Sequence, residues 1–162
     1  MNEPMVDKTE RRMHIEWDEQ FTTGMEIVDT QHRGLIHILN GLYQSIGDGR
    51  GEAALEGIFG ELQRYASVHF DTEERLLKKH GVAPHHRAGH VIRHVAYRRR
   101  IEDLKARREG GERLIPIQVL AFVSDWWREH ILTCDRIFET LGGGVAGGKA
   151  ADAAENCPWP AR

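Results

Sequence analysis

Apolar residues recur along most of the chain at the three- and four-residue spacing of a buried helix face. Four such stretches are bounded by glycine, proline or residues that suit a helix cap. The predicted helices run from the N-cap Asp29 to Ile46, from about Glu52 to Lys79, from about His86 to Arg108, and from Pro116 to Leu141. The apolar stripe of the third is Val91, Val95, Tyr97, Ile101 and Leu104, and that of the fourth continues unbroken from Val119 to Leu141.

Four amphipathic helices with short connections predict an all-α fold, an antiparallel up-down-up-down four-helix bundle. Residues 1–28 lack sustained periodicity but contain Ile15, Trp17 and Phe21, which predicts an N-terminal arm that packs on the bundle of residues 29–141. Residues 142–162 are rich in glycine and alanine and have little to bury, so we expect a flexible, disordered tail.

Composition narrows the classes of function. The chain has 162 residues, about the size of one domain, and a formal net charge of -3, so no excess of charge favours nucleic acid or anionic lipid. No apolar run approaches the roughly 20 residues that cross a bilayer. We therefore expect a soluble, cytoplasmic protein with no nucleic-acid and no membrane partner. Two cysteines are too few for a thiolate metal site, so any metal ion must be held by nitrogen and oxygen.

Polar residues on the inward helix faces are the most informative feature. Histidines fall on the inward face of every predicted helix, and the second helix adds a carboxylate four residues after its histidine. These residues are His32, His69 with Glu73, His90 with His94, and His130. One buried histidine is more typical of a hydrogen-bonded core residue, but the set indicates a metal centre, because buried imidazoles and carboxylates need partners. It exceeds the ligands of one zinc ion, so two ions bridged by carboxylate are the economical interpretation.

Asp135 is a weaker candidate on spacing alone. It lies five residues after His130, which at roughly 100° per residue places it about 140° away around a regular helix. Spacing by itself predicts a solvated aspartate beside Arg136.

Four segments together resemble the hemerythrin family in its single-domain bacterial form, from about Trp17 to Leu141. They read WDEQF…VDTQHRGLIHILN, HFDTEERLL, HVIRHVAYRRRIEDL and DWWREHILTCD. The resemblance implies a four-helix bundle with a non-haem di-iron centre, held by five histidines and two bridging carboxylates. The implied ligands are His32, His69, Glu73, His90, His94, His130 and Asp135. Only the resemblance makes Asp135 a candidate ligand.

The third helix departs from the usual family pattern in its linker, HGVAPHHRAG. Two ligand pairs therefore compete, His86 with His90 and His90 with His94. We prefer the second pair, because Tyr97 follows it by three residues, as in the family pattern. The remaining histidines, His14, His37, His80 and His85, are expected to be exposed.

The resemblance also implies a function. It implies reversible binding of O2 at the iron that has two histidines and one open position, for oxygen storage, delivery or sensing, without enzymatic activity. The alternative is a di-iron enzyme that acts on peroxide, nitric oxide or another small oxidant, since the same ligands allow it. Helical position predicts that the wall of the O2 pocket is formed by Leu35, Phe70, Leu77, Trp126 and Ile131.

Overall fold

The computed structural model describes residues 14–142, in which the only regular secondary structure is helical and no β-strand occurs. Four long helices are α1 (Glu26–Gly47), α2 (Gly51–Lys79), α3 (Pro84–Glu109) and α4 (Ile115–Thr133). One 3-10 turn (Glu19–Phe21) precedes α1, and a second (Cys134–Arg136) joins α4 to the short helix α5 (Ile137–Gly142). The predicted all-α four-helix fold is confirmed, while the predicted tail from residue 143 onward lies outside the described residues.

The long helices pack in a ring, with α1 and α3 each contacting both α2 and α4. Short connections at 48–50, 80–83 and 110–114 join helices that are neighbours in space, as in an antiparallel bundle. Gly81 and Gly111, with φ of 72° and 85°, allow the chain to leave α2 and α3 in a left-handed turn. None of the helices between residues 14 and 142 is both long enough and apolar enough to cross a membrane.

A single large cluster of apolar side chains fills the space between the helices. Leu35, Leu62, Ile101 and Val123 represent the four helices in it, and each is essentially inaccessible to solvent. Fully burying such a side chain contributes roughly 1.5–3 kcal/mol, so this cluster supplies most of the driving force for folding. It also fixes the rotation of each helix, and thereby decides which polar residues face inward.

The predicted stripe of α3 was wrong at Val95, which is 36% exposed. The buried line of this helix runs instead through His90, His94 and Tyr97, and Val95 lies about 100° to one side of His94. Arg93 is buried on the other side, where its guanidinium lies 3.5 Å from the Glu129 carboxylate of α4.

The predicted N-cap at Asp29 was also wrong, because α1 begins three residues earlier, at Glu26. Asp29 lies inside the first turn, and its side chain is buried. Its Oδ1 accepts hydrogen bonds from the backbone N–H of Thr23 at 2.8 Å and from the Thr23 hydroxyl at 2.7 Å. The carboxylate thus fastens the preceding loop to the start of the helix.

We expect Asp29→Ala to lower the free energy of unfolding of the metal-free protein by about 1–3 kcal/mol, since two buried donors of Thr23 lose their acceptor. Asp29→Asn keeps an acceptor oxygen and should cost less. Thr30→Ala, at an exposed position of the same helix, serves as the control. Urea denaturation measures all three, and equal stability of Asp29→Ala and the control would contradict this role.

The segment before α1 packs on the bundle. Oδ1 of Asn40 in α1 accepts a hydrogen bond from the backbone N–H of Ile15 at 2.9 Å, and Nδ2 of Asn40 donates one to the Ile15 carbonyl at 2.8 Å. Phe21 packs against Trp127 of α4, with ring centroids 4.7 Å apart. These contacts hold the described part of the predicted arm, from residue 14 onward, against α1 and α4.

The end of α4 differs from the prediction of one unbroken stripe. The Thr133 hydroxyl donates to the carbonyl of Glu129, which competes with the regular backbone ladder and is a known cause of bending. The next three residues form the 3-10 turn, and Arg136 anchors that turn by donating to the Gln20 carbonyl at 2.9 Å. Because of this change of helix type, the side chain of Asp135 points into the bundle.

Candidate metal centre

Seven buried side chains converge inside the bundle at the level of the 3-10 turn. They are His32 of α1, His69 and Glu73 of α2, His90 and His94 of α3, His130 of α4, and Asp135 of the turn. The structure therefore brings together the whole predicted ligand set, although their binding of a metal ion stays a prediction. His86 lies outside this group and is half-buried, while His14, His37, His80 and His85 are exposed.

Glu73 lies between two groups of imidazoles. Its Oε1 is 3.2 Å from Nε2 of His69 and 3.9 Å from Nε2 of His32. Its Oε2 is 3.1 Å from Nε2 of His90 and 3.0 Å from Nε2 of His94. The two oxygens of this carboxylate thus face different histidines, as a bridging ligand requires.

Asp135 repeats this division. Its Oδ2 is 3.2 Å from Nε2 of His32, and its Oδ1 is 3.2 Å from Nε2 of His130 and 3.3 Å from Nε2 of His90. The expectation from helical spacing, a solvated aspartate, was wrong, because Asp135 is fully buried and the 3-10 turn rotates it inward.

Several polar atoms of this cluster have no hydrogen-bond partner, although they are shielded from solvent. These atoms include Nε2 of His69, His94 and His130, Oε1 of Glu73 and both carboxylate oxygens of Asp135. Buried polar atoms without partners are costly and uncommon. Cations at the centre would satisfy them, so the residues fit a bound metal.

The donor atoms separate into two sets that can each hold one metal ion. One set is Glu73, His90, His94 and His130, and the other is His32, His69, Glu73 and Asp135. Within each set the donor atoms lie within 4.8 Å of one another. Imidazole and carboxylate without thiolate suit iron, manganese or zinc.

Electrostatics agree with a site built for cations. Burial favours the neutral acid, but the surrounding imidazoles hold the pKa values of Glu73 and Asp135 below their usual range. Burial would lower the pKa of His90, yet the neighbouring carboxylates of Asp135 and Glu73 outweigh it and raise the pKa to about 10. The pKa of His130 is raised despite burial, mainly by Asp135. Protons therefore balance the carboxylates when no cation is bound, and a metal ion would displace them.

The outer nitrogens of two histidines are held by polar neighbours. Nδ1 of His69 lies 2.8 Å from Oε1 of Gln31, and Nδ1 of His94 lies 2.9 Å from Oε1 of Glu74. Because these oxygens accept, each Nδ1 donates, which leaves the Nε2 lone pair directed at the cluster. Helical spacing does not single out either residue, because Gln31 only precedes the inward-facing His32 and Glu74 only follows Glu73.

Glu74 offers a direct test of this support. We expect Glu74→Ala to weaken metal binding by about 10–100-fold, the usual effect of losing such a hydrogen bond. Glu74→Gln retains an acceptor oxygen and should stay close to the parent affinity. Competition with a chelator of known affinity measures both, and equal affinities for the two variants would contradict a role in orienting His94.

Aromatic side chains cover the imidazoles. The ring of Phe70 stacks on His94 with centroids 3.8 Å apart, and that of Trp126 stacks on His130 at 4.4 Å. Tyr65, which sequence analysis missed, stacks on His69 at 4.8 Å. These rings exclude water from the outer side of three histidines.

Four of the five predicted pocket residues share the main core cluster. Leu35, Phe70 and Ile131 are buried in it, and the half-buried Trp126 packs against it. Leu77 does not join them, because it packs with Val28, Ile137 and Phe138 in a separate cluster. The structure thus divides the predicted wall between two regions.

Comparison with known proteins decides the family. Residues 23–141 match the family model described as Hemerythrin HHE cation binding domain, which covers most of the chain. The chain belongs to the hemerythrin family. Its predicted resemblance is confirmed, and the cation-binding description of this hemerythrin domain agrees with the donor set above.

Individual relatives of this hemerythrin chain are bacterial. It is 27% identical to the bacteriohemerythrin of Pseudomonas aeruginosa (strain LESB58) over 122 residues, which cover 75% of this chain and 77% of that protein. It is 29% identical to that of Clostridium acetobutylicum over 127 residues, covering 74% and 95%. It is 28% identical to that of Methylococcus capsulatus over 120 residues, covering 74% and 88%. The likeness spans most of each relative.

Proposed function

We propose that this protein binds O2 reversibly at two non-haem iron ions held between Glu73 and Asp135. The observation that carries the proposal is the division of both carboxylates, each of which presents one oxygen to either group of histidines. Membership of the hemerythrin family and similarity to bacteriohemerythrins support iron as the metal and O2 as the ligand.

The two groups of histidines are unequal, which supports binding of an external ligand on one side. His90, His94 and His130 face one pair of carboxylate oxygens, while only His32 and His69 face the other. The His32 and His69 side has one histidine fewer, so we assign O2 to that side. A ferrous pair supplies the binding position and the electrons that reversible uptake of O2 needs.

The side chains around the centre have a protective task in this proposal. Phe70, Trp126 and Tyr65 lie against three of the imidazoles, and none of the seven proposed ligands is more than 5% exposed. Exclusion of water limits hydrolysis and further reduction of bound oxygen. We propose that Leu35, Phe70, Trp126 and Ile131 line the O2 pocket. A cytoplasmic location and the lack of a nucleic-acid partner stay predictions.

The test is an optical titration of the full chain loaded anaerobically with Fe²⁺. We expect a charge-transfer absorption that appears with O2 and disappears under argon over repeated cycles. Loss of the band without recovery, or no band, would overturn reversible binding. Catalytic consumption of peroxide or nitric oxide far faster than by free iron would favour the enzyme alternative.

A further inference from the structure

A small pocket reaches the metal centre beside the start of α3. It has a volume of about 80 Å³. Its lining includes His85, His86 and Gly89 from the first turns of α3, His90, and Leu77 and Ile137 from the second apolar cluster. His85 is exposed, His86 is half-buried and His90 is buried, so the pocket leads from solvent to one of the proposed ligands.

His90 is the ligand that this opening reaches. It is 5% exposed, whereas each of the other six proposed ligands is at most 1% exposed. Gly89 has no side chain to close the pocket beside it, and a Cβ at that position would meet open space. The cluster is therefore least enclosed at the His90 end.

Imidazoles mark the path from the surface to the interior. His86, His90 and His94 are four residues apart on one face of α3, which separates their successive Cα atoms by about 6 Å along the helix axis. The His85 ring lies 3.9 Å from that of His86, and the His90 ring lies 4.7 Å from that of His94. The rings at both ends of this line thus lie close enough for one ligand to replace another, and one helical turn separates His86 from His90.

A series of donors lowers the free-energy cost of bringing a divalent ion into the bundle. Moving a bare ion from water into a low-dielectric interior costs several kcal/mol even after relaxation of the protein. Exchange of water for imidazole at each step avoids a bare ion, and it changes no oxidation state. Neutral imidazole is a good ligand for divalent first-row metals.

We propose that His85 and His86 form an entry site that captures a divalent transition-metal ion and passes it to His90. This inference rests on the metal centre of the proposed function and adds a route by which that centre is filled. His85 and His86 act only in transit, and they are not among the ligands of the filled centre.

A second opening provides the internal comparison. A surface groove of about 380 Å³ between α1 and α2 is lined by His37 and reaches His69. In that groove, however, the outer nitrogen of His69 is already engaged by Gln31, and His37 is the other imidazole of the lining. The groove therefore offers His37 and the Glu61 carboxylate, but no series of histidines along one helix face.

Stopped-flow loading of the metal-free full chain with Co²⁺, followed by its visible absorption, tests the entry site. We expect the double variant His85→Ala/His86→Ala to load about tenfold more slowly than the parent. Extraction of Co²⁺ by excess chelator should slow by the same factor, because an intermediate on the path changes both rates and leaves affinity unchanged. His37→Ala, the matched control, should load at the parent rate.

Three other results would contradict the proposed entry site, and a fourth would contradict the metal centre. Loading of the double variant at the parent rate, with two ions bound, would overturn this inference alone. A weaker final affinity would make these histidines part of the centre, and slower loading of His37→Ala would move the route to the groove. Failure of the parent to bind Co²⁺ would overturn the metal centre itself. The single variant His86→Gln and thermal melts by circular dichroism verify that slow loading is not caused by misfolding.

Discussion

Glu73→Ala is expected to leave the protein with at most one metal ion per chain and no reversible binding of O2. Glu73 contributes an oxygen to both sets of ligands, so its removal weakens both positions at once. It also leaves the buried imidazoles of His69 and His94 without the carboxylate that they face. Metal analysis after anaerobic loading and gel filtration measures the loss.

Glu61→Ala is the matched control for this prediction. Glu61 lies on the same helix, is exposed and lies outside both ligand sets. It should bind two ions and O2 like the parent. Two ions and normal O2 binding in Glu73→Ala would refute the bridging role of this carboxylate.

The choice of ligands on α3 yields the second large effect. We expect His94→Ala to lose metal from the three-histidine side, because Nε2 of His94 lies 3.0 Å from Glu73 inside the cluster. His86→Ala should retain two ions at equilibrium, because His86 lies one turn outside the ligand sets. Its expected defect is confined to the rate of loading.

Equilibrium metal content and affinity distinguish these two variants. Both substitutions remove one imidazole from the same helix face, so they match in chemistry and differ in position by two turns. Loss of metal from His86→Ala together with retention by His94→Ala would shift the ligand pair by one turn, to His86 and His90. That result would contradict the arrangement of α3 described above.

Much of the fold and centre follows from regular helical spacing. Pairs four residues apart, His69 with Glu73 and His90 with His94, share a helix face whatever the rest of the chain does. Their neighbours on that face are apolar, which predicts that they point inward. The four-helix fold and six of the seven converging residues are predictable on this basis.

Asp135 shows where regular spacing fails. The prediction of a solvated side chain assumes that α4 continues as a regular α-helix. In the structure the Thr133 hydroxyl donates to the backbone carbonyl of Glu129, and the next three residues form a 3-10 turn. Family resemblance identifies Asp135 as a ligand candidate, since a motif records the outcome of such local geometry. Periodicity alone does not.

Other differences have tertiary causes. Asp29 suits an N-cap by residue type, but the buried Thr23 occupies its carboxylate and the helix starts earlier. Leu77 shares a helix with Phe70 but lies about two turns further on, where α5 covers it in the second apolar cluster. Gln31 and Glu74 are recognisable only once the positions of the His69 and His94 rings are known.

Quantification of iron together with electron paramagnetic resonance of the oxidised protein tests the central claim most directly. Two ions bridged by Glu73 and Asp135 predict two iron ions per chain and a spin-coupled ferric pair that gives no resonance. One iron ion per chain, or an intense signal from isolated high-spin ferric iron, would contradict a bridged di-iron centre.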